Sequence, residues 1–228
     1  MSTANASSQS RTTRPFRLPD PPEREWDDLT SFDYVYEPGS PLHLNRHFGR
    51  PESTLVKAEK WIVPYLGHPS YRVPDLMIAF DVDPELYDDQ NGYVISDQGK
   101  PPDFVLEVAS RSTATIDIID KRRDYAEFGI PEYWRFDHTG ELHGARLAGD
   151  RLVGDRYKPL QIEELSPDVV QGRSDVLNLI LRWDHGDLHW IDPGTNKHIP
   201  TFDAEREGRL AAEAQVRALQ DELRRLKD

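Results

Sequence analysis

The sequence predicts an α/β domain with a mixed central sheet flanked by helices, followed by a C-terminal helix with coiled-coil-like spacing. Three stretches carry that expectation. Pro101 to Asp137 alternates as a strand, breaks at Ser110-Arg-Ser-Thr113, takes up helical spacing, stops at Gly129 and resumes as a strand. Tyr71 to Asp81 is a second strand, opened by Pro74. From Ala204 the chain is almost entirely helix formers, and Ala212, Val216, Leu219, Leu223 and Leu226 alternate spacings of four and three, the pattern of a coiled-coil seam.

The elements follow in chain order. Residues 1–25 combine an almost apolar-free start with the prolines of RLPDPPERE, and read as a disordered arm with polyproline character near Pro19 to Pro22. Trp26 to Tyr36 is aromatic-rich and reads as a short element or packed loop before the turn EPGSP. Leu55, Ala58, Glu59, Ile62 and Leu66 have helical spacing, and Pro51-Glu52 suits a helix start, so Glu52 to Leu66 is expected to be a helix. On the strand after Pro74, Leu76, Ile78 and Phe80 share one face while Asp75, Met77 and Ala79 share the other. Asp81 to Gly99 is acidic and turn-rich, and a hairpin is expected there.

In the central unit, Phe104, Leu106 and Val108 alternate with Asp103, Val105 and Glu107. Ser112, Thr113 or Thr115 caps the helix, Asp117 and Asp120 favour the positive end of its dipole, and Ile118, Lys121, Tyr125 and Phe128 form its stripe. Glu132 to Asp137 returns as a strand with Tyr133 and Phe136 in the core. A hairpin turning at Gly149-Asp150 is expected next. Arg173 to Trp183 is too densely apolar to choose between helix and strand, and short segments at Asp187–Asp192 and His198–Phe202 flank a turn. The expected organisation is an arm over 1–25, a domain over 26–202 and a C-terminal helix over 203–228.

Composition narrows the function classes. A formal charge of −13 gives no general attraction to nucleic acid, so any such contact needs a local positive surface. Without cysteine there is neither a disulfide nor a thiolate metal site. The chain has no apolar run of membrane-span length and no signal-peptide segment at its start, so a cytoplasmic protein without membrane contact is expected. There is no phosphate-binding loop, dinucleotide fingerprint, nucleophile elbow or zinc finger. The eight histidines, His43, His47, His185 and His189 among them, read as solvated or hydrogen-bonding.

Chemistry concentrates on three residues. A glutamate between Leu106 and Val108 must be solvated at a cleft, paired or metal-bound, because burying a lone carboxylate is costly. Lys121 lies on or beside the helix face that packs on the sheet. It either stretches over apolar neighbours to reach solvent or returns its ammonium toward the carboxylates. Asp75 and Glu107 on neighbouring strands are hard oxygen ligands suited to Mg2+, with Mn2+ as the alternative. With Lys121 they would equip a site for metal-dependent phosphodiester hydrolysis.

Val73-Pro-Asp75, PPDFVLEVASRST and DKRRDYAEFGIPEYWRFD together resemble a large bacterial family of restriction-endonuclease-like proteins, most of them uncharacterised, within the PD-(D/E)XK nuclease superfamily. The resemblance covers roughly residues 45–202 and implies a restriction-endonuclease-like core. It also aligns Asp75 and Glu107 with the family's acidic pair. The superfamily lysine usually lies two residues after the glutamate, where this chain has Ala109, and the family's alternative from the following helix corresponds to Lys121. A glutamate from the first core helix is implied as a further site residue, with Glu52 the best match and Glu59 second; Asp103 is a secondary carboxylate. Between that helix and Pro74 relatives carry a full strand, whereas this chain offers only residues 67–73. The resemblance implies a Mg2+-dependent DNA endonuclease; the C-terminal seam points to a homodimer, the alternative being a tail that lies across its own domain. The alternatives are an inactive nuclease-fold binding or regulatory module and a hydrolase of small phosphoesters.

Overall fold

The structure is a computed structural model describing residues 16–21, 31–199 and, near the C-terminus, 210, 213–217 and 220. A π-helical turn at Phe32–Tyr36 leads into α1 (Ser40–Phe48), β1 (Thr54–Lys57), β2 (Trp61–Val63) and β3 (Leu76–Phe80). Then come α2 (Pro84–Gln90), β4 (Gly92–Val94), α3 (Ile95–Gln98) and β5 (Phe104–Val108). The crossover consists of α4 (Ala114–Ile116), a π-helical turn at Asp117–Lys121 and α5 (Arg122–Glu127), and it delivers the chain to β6 (Glu132–Phe136). The rest is strand: β7 (Leu147–Val153), β8 (Arg156–Pro159), β9 (Ile162–Ser166), β10 (Val169–Ser174), β11 (Leu179–Asp184), β12 (Asp187–Asp192) and β13 (Lys197–His198). Described residues 210, 213–217 and 220 are helical, which puts a helix at the C-terminus. Among the described residues no helix is long and apolar enough to cross a membrane.

The central sheet is mixed, in the order β1-β3-β5-β6-β7-β8. Its β5–β6 pair is parallel and its other pairs are antiparallel. A parallel pair requires a crossover, and the helical run between β5 and β6 supplies it. The alternation expected for β3 and β5 is observed. Leu76, Ile78, Phe104, Leu106 and Val108 face one core with Trp134 and Phe136, and Met77, Ala79 and Val105 face the other with Tyr125, Phe128 and Tyr133.

A second, antiparallel sheet, β13-β12-β11-β10-β9, covers the first face through Leu179, Leu181, Trp183 and Trp190. Trp134 at its centre is fully buried. The indole fits because two strand glycines face it: a Cβ on Gly149 would lie 3.0 Å from the ring and one on Gly172 2.8 Å.

Several expectations are corrected. The stretch from Glu52 to Leu66 is not a helix: Pro51 to Ser53 form a turn, β1 pairs with β3, and β2 pairs with β4. The β-branched Thr54, Val56, Ile62 and Val63 outweigh the helical spacing. Residues 67–73 contain one end of an isolated bridge, Ile62↔Arg72, and no strand. Asp81 to Gly99 is not a hairpin. Asp83 caps α2 by accepting from the Leu86 N–H, Pro84 fits its first turn, and left-handed Asn91 ends it. The chain does not turn at Gly149-Asp150, which lie inside β7; Gly154 (φ 66°) turns it between β7 and β8. The undecided stretch around Arg173 to Trp183 forms parts of β10 and β11.

Within the expected arm, residues 16–21 lie against β2 and β4. The Leu18 N–H donates to the Gln90 carbonyl, and Trp61 Nε1 donates to the Pro19 carbonyl. The remainder of that arm, Trp26, Leu29 and the seam positions Ala212, Leu219, Leu223 and Leu226 lie outside the described residues.

Candidate active site

Strand register brings the first two site residues together. β3 pairs with β5 as Leu76↔Leu106, so one step further places Asp75 opposite Glu107. Both point to the side of the sheet carrying Met77 and Val105, under the crossover helix. The Val108 N–H donates to Asp75 Oδ2 at 2.6 Å, which fixes this carboxylate to the neighbouring strand. Glu107 is fully buried.

The crossover supplies the rest. Lys121 Nζ donates to Glu107 Oε2 at 2.7 Å and lies 2.9 Å from Asp117 Oδ1. The Tyr125 hydroxyl donates to Glu107 Oε1 at 2.6 Å. Asp117, Lys121 and Tyr125 recur every four residues, a spacing that drifts about 40° per step around an ordinary α-helix. The wider π-turn over Asp117–Lys121 reduces that drift and keeps all three over the sheet. Asp117 Oδ2 in turn accepts from Thr113 Oγ1 at 3.0 Å and pairs with His143 Nε2 at 3.1 Å.

Lys121 contacts Glu107 and Asp117, and Asp75 adds a third acidic group to the charges acting on it. Burial pushes the Glu107 carboxyl up to about 8; Lys121 opposes the rise, while Asp75 and Asp117 add to it. Burial works against the Lys121 charge, but Glu107, Asp117 and Asp75 outweigh it and its pKa is raised. For Asp117, burial is likewise outweighed, here by His143 and Lys121, and its carboxyl is held below the ordinary range.

Among the described residues no three His, Cys, Asp or Glu side chains form a metal-holding group. That is no obstacle to Mg2+, which is commonly held by one or two carboxylates with water and substrate phosphate completing its shell. Asp75 and Glu107 fit this donor set. Both Glu107 oxygens are engaged, Oε1 by Tyr125 and Oε2 by Lys121, as are the Asp117 oxygens by Lys121, Thr113 and His143, so a metal would share or displace these contacts.

The other candidates lie elsewhere. Glu52 is exposed in the turn before β1, two residues before Thr54, which pairs with Phe80 at the opposite end of β3 from Asp75. Glu59 is at the Asp75 end, with its N–H on the Pro74 carbonyl, and its carboxylate accepts from Ser31 Oγ at 2.9 Å. Asp103 sits four residues before Glu107, about 13 Å along the strand. There it binds Lys100 at 2.7 Å and the Phe80 N–H at 2.8 Å, tying β5 to the end of β3.

Sequence reasoning did not place Asp117, Tyr125 and His143 in the cluster around Glu107 and Lys121. The four-residue repeat Asp117-Lys121-Tyr125 was the available signal for two of them. His143 had none, because it arrives on an irregular loop between β6 and β7. Arg135 pairs with Glu107 across β5–β6 and extends the same row of the sheet. Beside it opens a groove of about 900 Å³, lined among others by Arg122, Arg135, Arg146, Ile118 and Leu160.

The model of the Uma2 family, described as "Putative restriction endonuclease", matches residues 44–181. The chain belongs to this family. The Uma2 match spans Asp75, Glu107, Asp117, Lys121, Tyr125 and His143, so the whole cluster falls inside the family domain. No curated protein matches the chain. Among solved structures, the chain is similar to a crystal structure described as "a putative nuclease belonging to DUF820" from Anabaena variabilis ATCC 29413. The identity is 11%, coverage is 64% of this chain and 75% of that one, and the TM-score is 0.40.

Proposed function

We propose that this Uma2-family chain is a Mg2+-dependent endonuclease with a PD-(D/E)XK-type centre that hydrolyses phosphodiester bonds in DNA, with Mn2+ able to replace Mg2+. The observation that carries the reading is the Asp75/Glu107 cross-strand pair with the Lys121 ammonium 2.7 Å from Glu107. Asp75 and Glu107 hold the metal, which would stabilise charge growing on the phosphoryl oxygens and acidify water. Lys121 orients the attacking water and offsets negative charge in the transition state. Tyr125 fixes the Glu107 carboxylate by occupying its other oxygen. Glu52 is left out of this assignment because it lies at the far end of β3.

A groove lined by Arg122, Arg135 and Arg146, together with Asp150 and Glu164, is the candidate for a local contact surface on a chain of net charge −13. Arg122 and Arg135 share Asp150, at 2.8 and 2.9 Å, and Arg146 stacks on Trp183 with its guanidinium 4.5 Å from the ring. Two of these arginines are neutralised in part by Asp150, so contact with a DNA backbone here would rest on Arg146 and on arginine donors not used by Asp150. A homodimer formed through the C-terminal helix would present one such site to each strand.

The inactive-module alternative keeps the acidic charge and the strandless 67–73 segment in its favour. The acidic charge still favours a small phosphoester as the second reading. Supercoiled plasmid and bis-p-nitrophenyl phosphate, each with Mg2+ or Mn2+, separate the two. Nicking lost in Asp75→Ala and Glu107→Ala supports the endonuclease. Turnover of the small ester alone supports the second reading, and neither activity removes the enzyme assignment.

A further inference from the structure

The Lys121 ammonium is held by more than its partner on β5. Asp117, four residues earlier on the π-turn, grips it at 2.9 Å through Oδ1. Asp117 Oδ2 is itself taken by Thr113 Oγ1 at 3.0 Å and His143 Nε2 at 3.1 Å. Both ends of this last contact are sealed from solvent, the Asp117 side chain being 0% exposed and the His143 side chain 1%.

His143 is held from behind as well. Asp137 Oδ2 accepts the N–H groups of Leu142 and His143, each at 2.7 Å, while Asp137 Oδ1 takes Thr139 Oγ1 at 2.8 Å. The loop is anchored to the second sheet by Trp183, whose Nε1 donates to the His138 carbonyl at 3.2 Å. A continuous chain of contacts therefore runs from the second sheet through the loop to His143, Asp117, Lys121 and Glu107. No other use for a buried histidine–aspartate pair is evident at this place. The Asp117 oxygens are held by Lys121, Thr113 and His143, and His143 reaches the site through Asp117.

We infer that Asp117 and His143 are positioning residues that aim the Lys121 ammonium at the reacting phosphodiester, with His143 donating through Nε2 to lock the Asp117 carboxylate. This deepens the endonuclease reading and rests on it for its chemical meaning. The geometry makes a distinctive demand, because only the Nε2–H of His143 is used. The amide nitrogen of a glutamine reaches the place of Nε2, so His143→Gln keeps the donor and His143→Leu removes it. Groups that orient a site residue from behind are typically worth 10–100-fold when removed.

The test uses the full chain and two readouts. In plasmid nicking, His143→Leu is expected to lower kcat roughly 10–100-fold with KM and Mn2+ affinity unchanged, and His143→Gln to stay within about threefold of wild type. Thr113→Val, which removes the other donor to Oδ2 together with the hydroxyl contact to Ser110 Oγ at 2.8 Å, is expected to cause a smaller loss of kcat. Without substrate, the 15N-ammonium resonance of Lys121, assigned by its absence in Lys121→Met, is expected to be slowly exchanging in wild type and His143→Gln. It is expected to be lost to fast exchange in His143→Leu and Asp117→Asn.

Equal behaviour of His143→Leu and His143→Gln in either readout overturns the inference, as does an effect confined to KM or metal affinity. If the wild type cuts nothing while the ammonium signal follows the expected pattern, the positioning role stands and the endonuclease reading falls. If His143→Leu does not fold, Thr113→Val and Asp117→Asn decide: an unchanged Lys121 resonance in both overturns the inference.

Discussion

Replacing Lys121 with methionine separates its electrostatic role from its packing. The side chain is 12% exposed, its ammonium lies 2.7 Å from Glu107 and 2.9 Å from Asp117, and methionine keeps most of the aliphatic stem. Removing one partner of a buried ion pair costs about 3–5 kcal/mol, because the carboxylate left behind is neither solvated nor paired. For a chain of this size each kcal/mol corresponds to about 2–4 °C, so the metal-free variant should melt roughly 6–20 °C below wild type. The lower end is expected, since Glu107, already pushed up to about 8, takes up a proton more readily than an ordinary carboxyl. Mg2+ or Mn2+ should recover part of the loss by supplying the missing positive charge. Nicking should fall about 10²–10³-fold even at saturating metal, the usual cost of losing one preorganised charge-stabilising group. Differential scanning fluorimetry with EDTA or Mn2+, together with plasmid nicking, makes the measurement. A variant that melts with wild type would show that the ammonium does not sit between carboxylates. One that nicks at the wild-type rate would remove Lys121 from the reaction.

Other consequences are open to direct measurement. Tyr125→Phe deletes the 2.6 Å donor to Glu107 and should cost about 1.5–3 kcal/mol in urea unfolding, since the acceptor is buried and ionisable. Gly149→Val places carbon against Trp134 where a Cβ would already be 3.0 Å from the ring, and should lower stability by about 1–3 kcal/mol without altering metal binding. The Asp137 carboxyl is held low: burial opposes this, and the hydrogen bonds from His143, Thr139 and their neighbours outweigh it. Its contribution is therefore complete above the unfolded value near 3.9 and is lost as pH falls through the lower folded value. Asp137→Asn should be less stable than wild type at pH 7, with the gap closing below about pH 4. For Glu107 the sign reverses, because a raised carboxyl favours the folded state below the unfolded value near 4.3 and loses that contribution as pH rises through about 8. Protons and metal compete for the same oxygens, so stabilisation by Mn2+ should grow between pH 6 and pH 8.

The parts of the fold that could be read from the sequence are those where the apolar period was unambiguous. β3 and β5 keep strict alternation, and α5 closes at Gly129 (φ 79°) as expected. Asp75, Glu107 and Lys121 stood out because a polar residue in an apolar period needs a partner; Lys121 contacts Glu107, and strand register sets Asp75 opposite it. Thr54 to Val63 was misread because Leu55, Ala58 and Ile62 happen to fit a helix, while the pairing that decides the matter is with Phe80 and Gly92, far along the chain. Gly149 gave a misleading turn signal because its role is space for Trp134, a contact invisible in the linear sequence. Asp117 looked like a residue complementing the helix dipole until the π-turn placed it beside Lys121. His143 depends on loop geometry set by Asp137, which no periodicity encodes.

The central claim is that Asp75 and Glu107 form a divalent-cation site. Calorimetric titration of Mn2+ into wild type and folded Glu107→Ala at pH 8 tests it most directly. Binding by wild type that is abolished in the variant is the predicted result. Equal binding by both proteins, or none by a folded wild type, would contradict the account.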